Sequence, residues 1–296
     1  MPVHDDLGNR MKEYYEQITK TKLMRRTPVI IRIDGKAFHS FTKGFKRPFD
    51  DVLIESMQQT MKYLCENIQG CVLGYHQSDE ISLVLVDYQK LTSSAWFDNE
   101  IQKICSIAAS MATMVFNKIF ATCVLQNTDE FCEEFLEDGS FNENYKNRDL
   151  EKIWICQKHA ADKGAMFDAR CLNIPKEEVT NYIYWRQLDA TRNSIQMVGQ
   201  ANFSHKELHG KSCNQIQDML MLQKGINWND FPVYQKRGCC CVKEKYTITD
   251  SEPQKGNTDN VTRTRWIIDK EIPIFRGEDR GYIDKLIYVG EGMEKI

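Results

Sequence analysis

The sequence predicts an α+β fold: a ferredoxin-like β-α-β-β-α-β antiparallel sheet with helical insertions and a C-terminal β-hairpin. Three observations predict it. The apolar runs alternate between short strand-like stretches and long amphipathic ones, in the order strand, helix, strand, strand, helix. An acid closes the first strand and an acid pair opens the third. Late in the chain, a turn-rich break separates two more strand-like runs.

Taken in order, residues 5–22 are polar with Leu7, Met11, Tyr14, Tyr15 and Ile18 at helical spacing, which predicts an N-terminal helix. "PVIIRID", 28–34, is the first strand. Residues 49–69 repeat Val52, Ile54, Met57, Met61, Leu64 and Ile68, an amphipathic helix. "CVLGY" and "ISLVLVDY" around "HQSDE" form a hairpin. Residues 98–120 form a second helix, with Ile104, Ile107 and Met111 as its stripe and Ala108, Ala109 and Ala112 allowing close packing. "FATCVLQ" either opens another strand or extends that helix. "AMFDARCLNIP", 165–175, supplies the last strand of the unit. The stretch 125–163 is then a polar, acidic insertion carrying a helix, and 175–220 reads as helical. Residues 249–260 are the tip of a long hairpin between "GCCCVKEKYTI" and "VTRTRWIID".

The chain has 296 residues, room for one large domain or two modest ones. Its 42% hydrophobic and 27% charged residues are ordinary for a globular protein. A net charge of -3 gives no global basic field and leaves any nucleic-acid contact to a local patch. The 11 cysteines are odd in number and contain no C-x-x-C pair, so they read as thiols of a reducing compartment. His205 and His209 in "SHKELH" have metal-binding spacing but no further ligand; a helix start capped by Ser204 is the favoured reading. No apolar run reaches the roughly 18 residues of a membrane span. The N-terminus lacks the apolar core of a signal peptide, so a cytoplasmic protein without a membrane partner is expected.

The chemistry concentrates where strands end. Asp34 and Gly35 close the first strand, and either cap it as a turn or hold a metal or phosphate. In the split unit the third strand lies antiparallel beside the first, so Asp34 meets Asp79 and Glu80 at one edge. Clustered like charges repel unless neutralised. Hard divalent cations do this with oxygen ligands, and Mg²⁺ typically takes one or two carboxylates plus substrate phosphates. The topology favours a metal site over a solvated acidic turn. Two such ions could clamp a phosphoryl or nucleotidyl displacement. Gly35 permits close backbone approach. Lys36, Lys43, Lys46 and Arg47 follow, interleaved with Phe38, Phe41 and Phe45. Cations among aromatics suit a nucleotide, or else a solvated loop anchored by its rings. Lys103, early in the second helix, is either an anion contact or simply exposed.

"RIDGKAFHSF", "HQSDEISLVL" and "WRQLDATRNS" together resemble the histidine-tRNA guanylyltransferase family and its bacterial and archaeal like-proteins. "FDAR" and "INWNDFPVYQKRG" extend the resemblance over about residues 5–237. The resemblance implies a polymerase-palm fold used in reverse, extending RNA at its 5′ end in the 3′-to-5′ direction. It implies adenylylation of a 5′-monophosphate by ATP, then displacement of AMP by the 3′-hydroxyl of GTP or another NTP, with later removal of a terminal pyrophosphate. By this resemblance Asp34 and Asp79 bind two Mg²⁺ ions, Gly35 gives a carbonyl, and Glu80 binds or supports the ions. Lys36, Ala37, Phe38 and His39 line the triphosphate loop, Ser78 precedes the acid pair as in the family, and Ser78, Arg32, Lys43, Lys46 and Lys103 are nucleotide-binding. Asp168, Arg170, Arg186, Gln187, Asp189, Asn193, Lys224, Asn227 and Asn229 match later positions with tRNA-contacting or structural roles.

The implied organisation is a palm catalytic core over 1–135, the rest of the core with tRNA-contacting helices over 136–237, and a hairpin extension over 238–296. Eukaryotic members of the family carry a histidine two residues after the aspartate of the "WRQxD" motif; Thr191 stands there, followed by Arg192, which fits the like-proteins. That departure points away from untemplated G addition to tRNA(His) and toward template-dependent 5′-end repair of several tRNAs. A palm-type nucleotidyl cyclase and a non-catalytic RNA-binding module are the rivals. The partners implied are tRNA, nucleoside triphosphates and further copies of the chain in a homotetramer.

Overall fold

The computed structural model describes residues 5–126, 148–248 and 261–289. The acidic part of the insertion before 148 and the hairpin tip 249–260 lie outside the described residues. At the N-terminus, α1 (Asp6–Met11) starts where Asp5 accepts a hydrogen bond from the Gly8 amide at 2.8 Å. It continues as a π turn (Lys12–Glu16) and a 3₁₀ turn (Gln17–Thr19). The predicted helix over 5–22 is therefore irregular, and none of these residues is buried. Periodicity found the helix, but among the described residues its apolar stripe is left exposed.

The central sheet follows. β1 (Val29–Gly35) leads through a one-turn α2 (Phe38–Phe41) into α3 (Asp51–Asn67), then the hairpin β2 (Cys71–Gln77) and β3 (Glu80–Leu85). α4 (Ile101–Gln126), α5 (Arg148–Lys163) and β4 (Phe167–Asn173) complete the unit. The strand order β4-β1-β3-β2 is that of the ferredoxin-like fold, with every described pairing antiparallel. α6 (Lys176–Asn202), α7 (His205–Leu208), α8 (Cys213–Lys224) and α9 (Val233–Arg237) lead to the hairpin β5 (Cys239–Ile248) and β6 (Val261–Asp269). β5 pairs with β2, so the hairpin widens the sheet to six strands, and α10 (Gly281–Ile287) closes the chain.

Strand alternation divides the core. Ile31, Ile33, Ile81 and Leu83 face α3 and α4, while Ile30 and Val84 face α6 and α10. On α3, Asp50 caps the start by accepting from the Leu53 amide at 3.0 Å. Met57, Met61 and Leu64 then repeat at helical spacing and are fully buried. Each such side chain contributes about 1.5–3 kcal/mol. α3 sits close on β2 because Gly74 lacks a Cβ, which would lie 2.6 Å from the Cys65 sulfur.

At α4 an open alternative closes and one expectation is corrected. "FATCVLQ" extends the helix. Its buried line is Ile104, Ala108, Ala112, Phe116 and Phe120, so two of the three alanines make the close contact expected of them, whereas Ile107 of the expected stripe is exposed. α4 is also long and apolar enough, by length and composition, to cross a membrane, contrary to the absence of any such run. Here it packs against α3, α5, β1 and β4, so its apolar character serves contacts on several sides. The ten cysteines among the described residues are free.

Candidate active site

The register places the acids as the topology requires. Asp34 at the end of β1 pairs with Glu80 at the start of β3, and the Gly35 amide donates to the Asp79 carbonyl at 3.1 Å. Asp168 of β4 pairs with Asp34 from the other side. An acidic row thus crosses three strands, and the next row on the same face, two residues along, carries Arg170 and Arg32 beside Ser82.

The turns beside Asp34 and Asp79 are held in uncommon conformations. Ala37 (φ 54°) and Ser78 (φ 52°) both occupy the left-handed region without being glycine. That costs about 1–2 kcal/mol per residue, and such costs gather at functional sites. Gly35 is required for a different reason: a Cβ there would stand 2.2 Å from the Phe38 ring.

Asp34, Gly35, Ala37, Phe38, His39, Lys43, Lys46, Ser78 and Asp79 line one cavity of about 630 Å³, within the range of small-molecule sites. Burial pushes the Asp79 carboxyl above its usual value; the Asp34 charge adds to the rise, while Ser78 and Arg32 oppose it. The site therefore favours a cation between these carboxylates. Among the described residues no three His, Cys, Asp or Glu donors gather. A divalent ion here would be held by two carboxylates with backbone and substrate oxygens, which is the ligand set Mg²⁺ prefers.

Glu80, expected to bind or support metal, is engaged elsewhere. Arg186 on α6 grips both its oxygens, at 2.7 and 2.9 Å, and Arg32 adds a contact at 2.7 Å. Burial raises the Glu80 carboxyl, and the two guanidiniums pull it back. Arg32 and Arg186 are thereby partners of Glu80, and Asp189 in turn accepts from Arg186 at 2.9 Å and lies within 3.5 Å of Asn193.

The aromatic rings anchor the loop. Phe38 is buried with ring centroids 5.0 Å from Phe41, 5.6 Å from Phe116 and 5.2 Å from Phe167, so it is no open platform for a base. Asp50 tethers the loop's far side, accepting from the Lys46 amide at 3.0 Å and from Gln157 at 2.9 Å. Lys46 reaches Asp51 at 2.8 Å. His39 is exposed beside Ser40.

Other expected residues lie apart. Lys36 is exposed, with its amide on the Met166 carbonyl. Lys103 sits over the Phe97 ring near the α4 start, whose Ile101 carbonyl approaches Cys171, the partner of Ile31 well down the strand from Asp34. Arg170 stays on β4 beside Asp168 at 3.4 Å. Gln187 ties the chain 273–275 to α6. Lys224 covers Phe203, and Asn227 and Asn229 build a local turn. Ser204 does cap α7, in a reciprocal capping box with Glu207.

His76 escaped the sequence reading, though it sits two residues before the strained Ser78. Its buried ring donates to the Ser78 carbonyl at 2.9 Å, and its other nitrogen faces the Cys239 thiol. Burial pulls its pKa down to about 4. The folded form is thus neutral at a pH where the unfolded chain binds a proton. Stability should fall as pH drops from about 6.5 toward 4, by on the order of 3 kcal/mol for this group. Urea unfolding of wild type and His76→Gln across that range checks this; the variant should lose much of that acid sensitivity.

Oxygen donors at adjoining strand ends, strained turns that present them and a lysine-bearing loop over a shared cavity suit a divalent ion with a polyphosphate. The tRNAHis guanylyltransferase family model matches residues 8–175, so the chain belongs to that family, whose members are nucleotidyltransferases. A bacterial tRNA(His) guanylyltransferase-like protein in complex with ATP superimposes with a TM-score of 0.73 at 42% identity, covering 96% of this chain and 100% of that one. A bacterial like-protein in complex with GTP gives 0.68 at 40% identity with the same coverage. The tRNA(His) guanylyltransferase of Saccharomyces cerevisiae is 25% identical over 80% of this chain and 92% of its own length.

Proposed function

We propose that this chain adds nucleotides to the 5′ end of tRNA in the 3′-to-5′ direction, choosing each by pairing with the opposing strand. The observation that carries this is the shared cavity of Asp34 and Asp79 with Lys43 and Lys46. In the first step a 5′-phosphate oxygen of the RNA attacks the α-phosphorus of ATP; pyrophosphate leaves and a 5′-adenylylated end forms. In the second, the 3′-hydroxyl of an incoming NTP attacks the RNA 5′-phosphorus, AMP leaves, and a phosphodiester remains. Mg²⁺, two ions in this reading, would be held by Asp34, Asp79 and the Gly35 carbonyl, and supplies charge neutralisation for the phosphates. Lys43 and Lys46 draw the triphosphate into the cavity. The fixed turns at Ala37 and Ser78 hold the carboxylates ready without reorganisation.

Thr191 supports templated repair over selection of tRNA(His) alone. It donates to the Gln187 carbonyl of its own helix, at 3.0 Å. A homotetramer in the cytoplasm completes the reading, since a chain of net charge -3 gains from sharing a large polyanion among copies. The test is a tRNA lacking its 5′ nucleotide, given ATP, Mg²⁺ and each NTP singly. Only the NTP complementary to the opposing base should be added. Addition of G regardless of template, and only to tRNA(His), would replace this reading with guanylyltransfer; a cyclic nucleotide formed without RNA would replace it with a cyclase.

A further inference from the structure

The cavity of Asp34 and Asp79 continues into another. Arg47 and Gln200 line both, and the second, of about 510 Å³, runs on to Gln196, His205, His209 and Lys211. Its polar lining consists of cations, amides and imidazoles over an apolar floor, with no carboxylate. Among the described residues, Arg47, Gln196, Gln200 and Lys211 have no side-chain hydrogen bond or ion pair. The nearest acid in sequence, Glu207, is turned into the helix cap, accepting from the Ser204 amide at 2.8 Å and its hydroxyl at 2.6 Å. Its charge is satisfied there, and the cap fixes the segment that carries both histidines.

We propose that this second cavity binds backbone phosphates of the RNA immediately beside its reacting 5′ end. The inference rests on the proposed function: if the RNA end lies at Asp34 and Asp79, its backbone must leave the cavity, and Arg47 and Gln200 form the shared wall. Cations and amides contact phosphate without reading bases. Such a grip suits an enzyme serving several tRNAs, and it is local, as a chain of net charge -3 requires. The chemistry recognised is phosphate, and the alternative source is the triphosphate of a free nucleotide.

The experiment measures binding apart from turnover. Fluorescence anisotropy follows a 3′-labelled tRNA lacking its 5′ nucleotide across a salt series, with wild type, Lys211→Ala and Lys211→Arg. Lys211→Ala should weaken binding about five-fold near 0.1 M salt and flatten the slope of log affinity against log salt by about 0.7–0.9. Lys211→Arg should restore both, and the affinities of ATP and GTP should not change. Unchanged RNA affinity and slope in Lys211→Ala would overturn the proposal, as would a loss of ATP or GTP affinity in place of RNA affinity, or failure of Lys211→Arg to restore binding. Failure of wild type to extend the same tRNA would count against the proposed function instead, and the binding comparison would still decide the cavity.

Discussion

Asp79→Ala is expected to lower nucleotide incorporation by about 10²–10³-fold, the scale seen when one group that stabilises transition-state charge is removed. The fold should survive. Asp79 lies at a turn whose backbone is held by the Gly35 amide and the His76 ring, and neither contact uses its carboxylate. Its raised pKa means that its ionised form costs stability at neutral pH, because burial and Asp34 oppose the charge. The variant's melting temperature should therefore equal or exceed that of wild type without divalent ions. Mg²⁺ should raise the wild-type melting temperature, since a ligand of the folded state stabilises it, and should raise the variant's less. Retained incorporation by a folded Asp79→Ala would refute the mechanism. An equal Mg²⁺ shift in both proteins would refute the metal assignment alone.

Arg186→Ala should destabilise the protein rather than remove a reacting group. Arg186 and Glu80 have side chains only 5% and 4% exposed, and truncating one leaves the other buried and charged. Such losses cost about 3–5 kcal/mol. The lower end is expected, because Arg32 remains 2.7 Å from Glu80. Denaturant melts read the loss directly. The double variant Glu80→Gln, Arg186→Met should recover most of it, since the two most buried charges go together and Arg32 keeps Asp34 at 3.7 Å. A change below about 0.5 kcal/mol in Arg186→Ala would place it with ordinary surface substitutions and remove Glu80 from the buried framework.

The first half of the site was readable because its logic is local. "PVIIRID" ends on its own acid, "HQSDE" interrupts two apolar runs, and the strand order brings the two together at the register found. What escaped depends on contacts distant in sequence. Glu80 looks like a third metal ligand until Arg186, 106 residues later, closes on it. The rings of Phe38 and Phe41 look available to a nucleotide until Phe116 and Phe120 arrive from α4 to bury them. Lys103 has a plausible helical address, but the helix direction carries it down β1 away from Asp34. The apolar stripe of α1 shows the converse: period reveals a helix, yet burial needs a covering surface, and the described residues leave this stripe exposed.

The register of β1 against β3 has a further consequence. Ile33 opposes Ile81, and one residue on, Asp34 opposes Glu80. A slip by one position would drive Asp34 into the layer filled by α3 and α4 and turn Ile33 to the face covered by α6 and α10. The pairing that keeps Ile33 and Ile81 in the α3 and α4 layer is thus one that also aligns the carboxylates, and a one-residue error loses both together. Foldedness and competence become a single property. Mildly destabilising substitutions elsewhere in the core should thin the population of working molecules without lowering the turnover of each survivor.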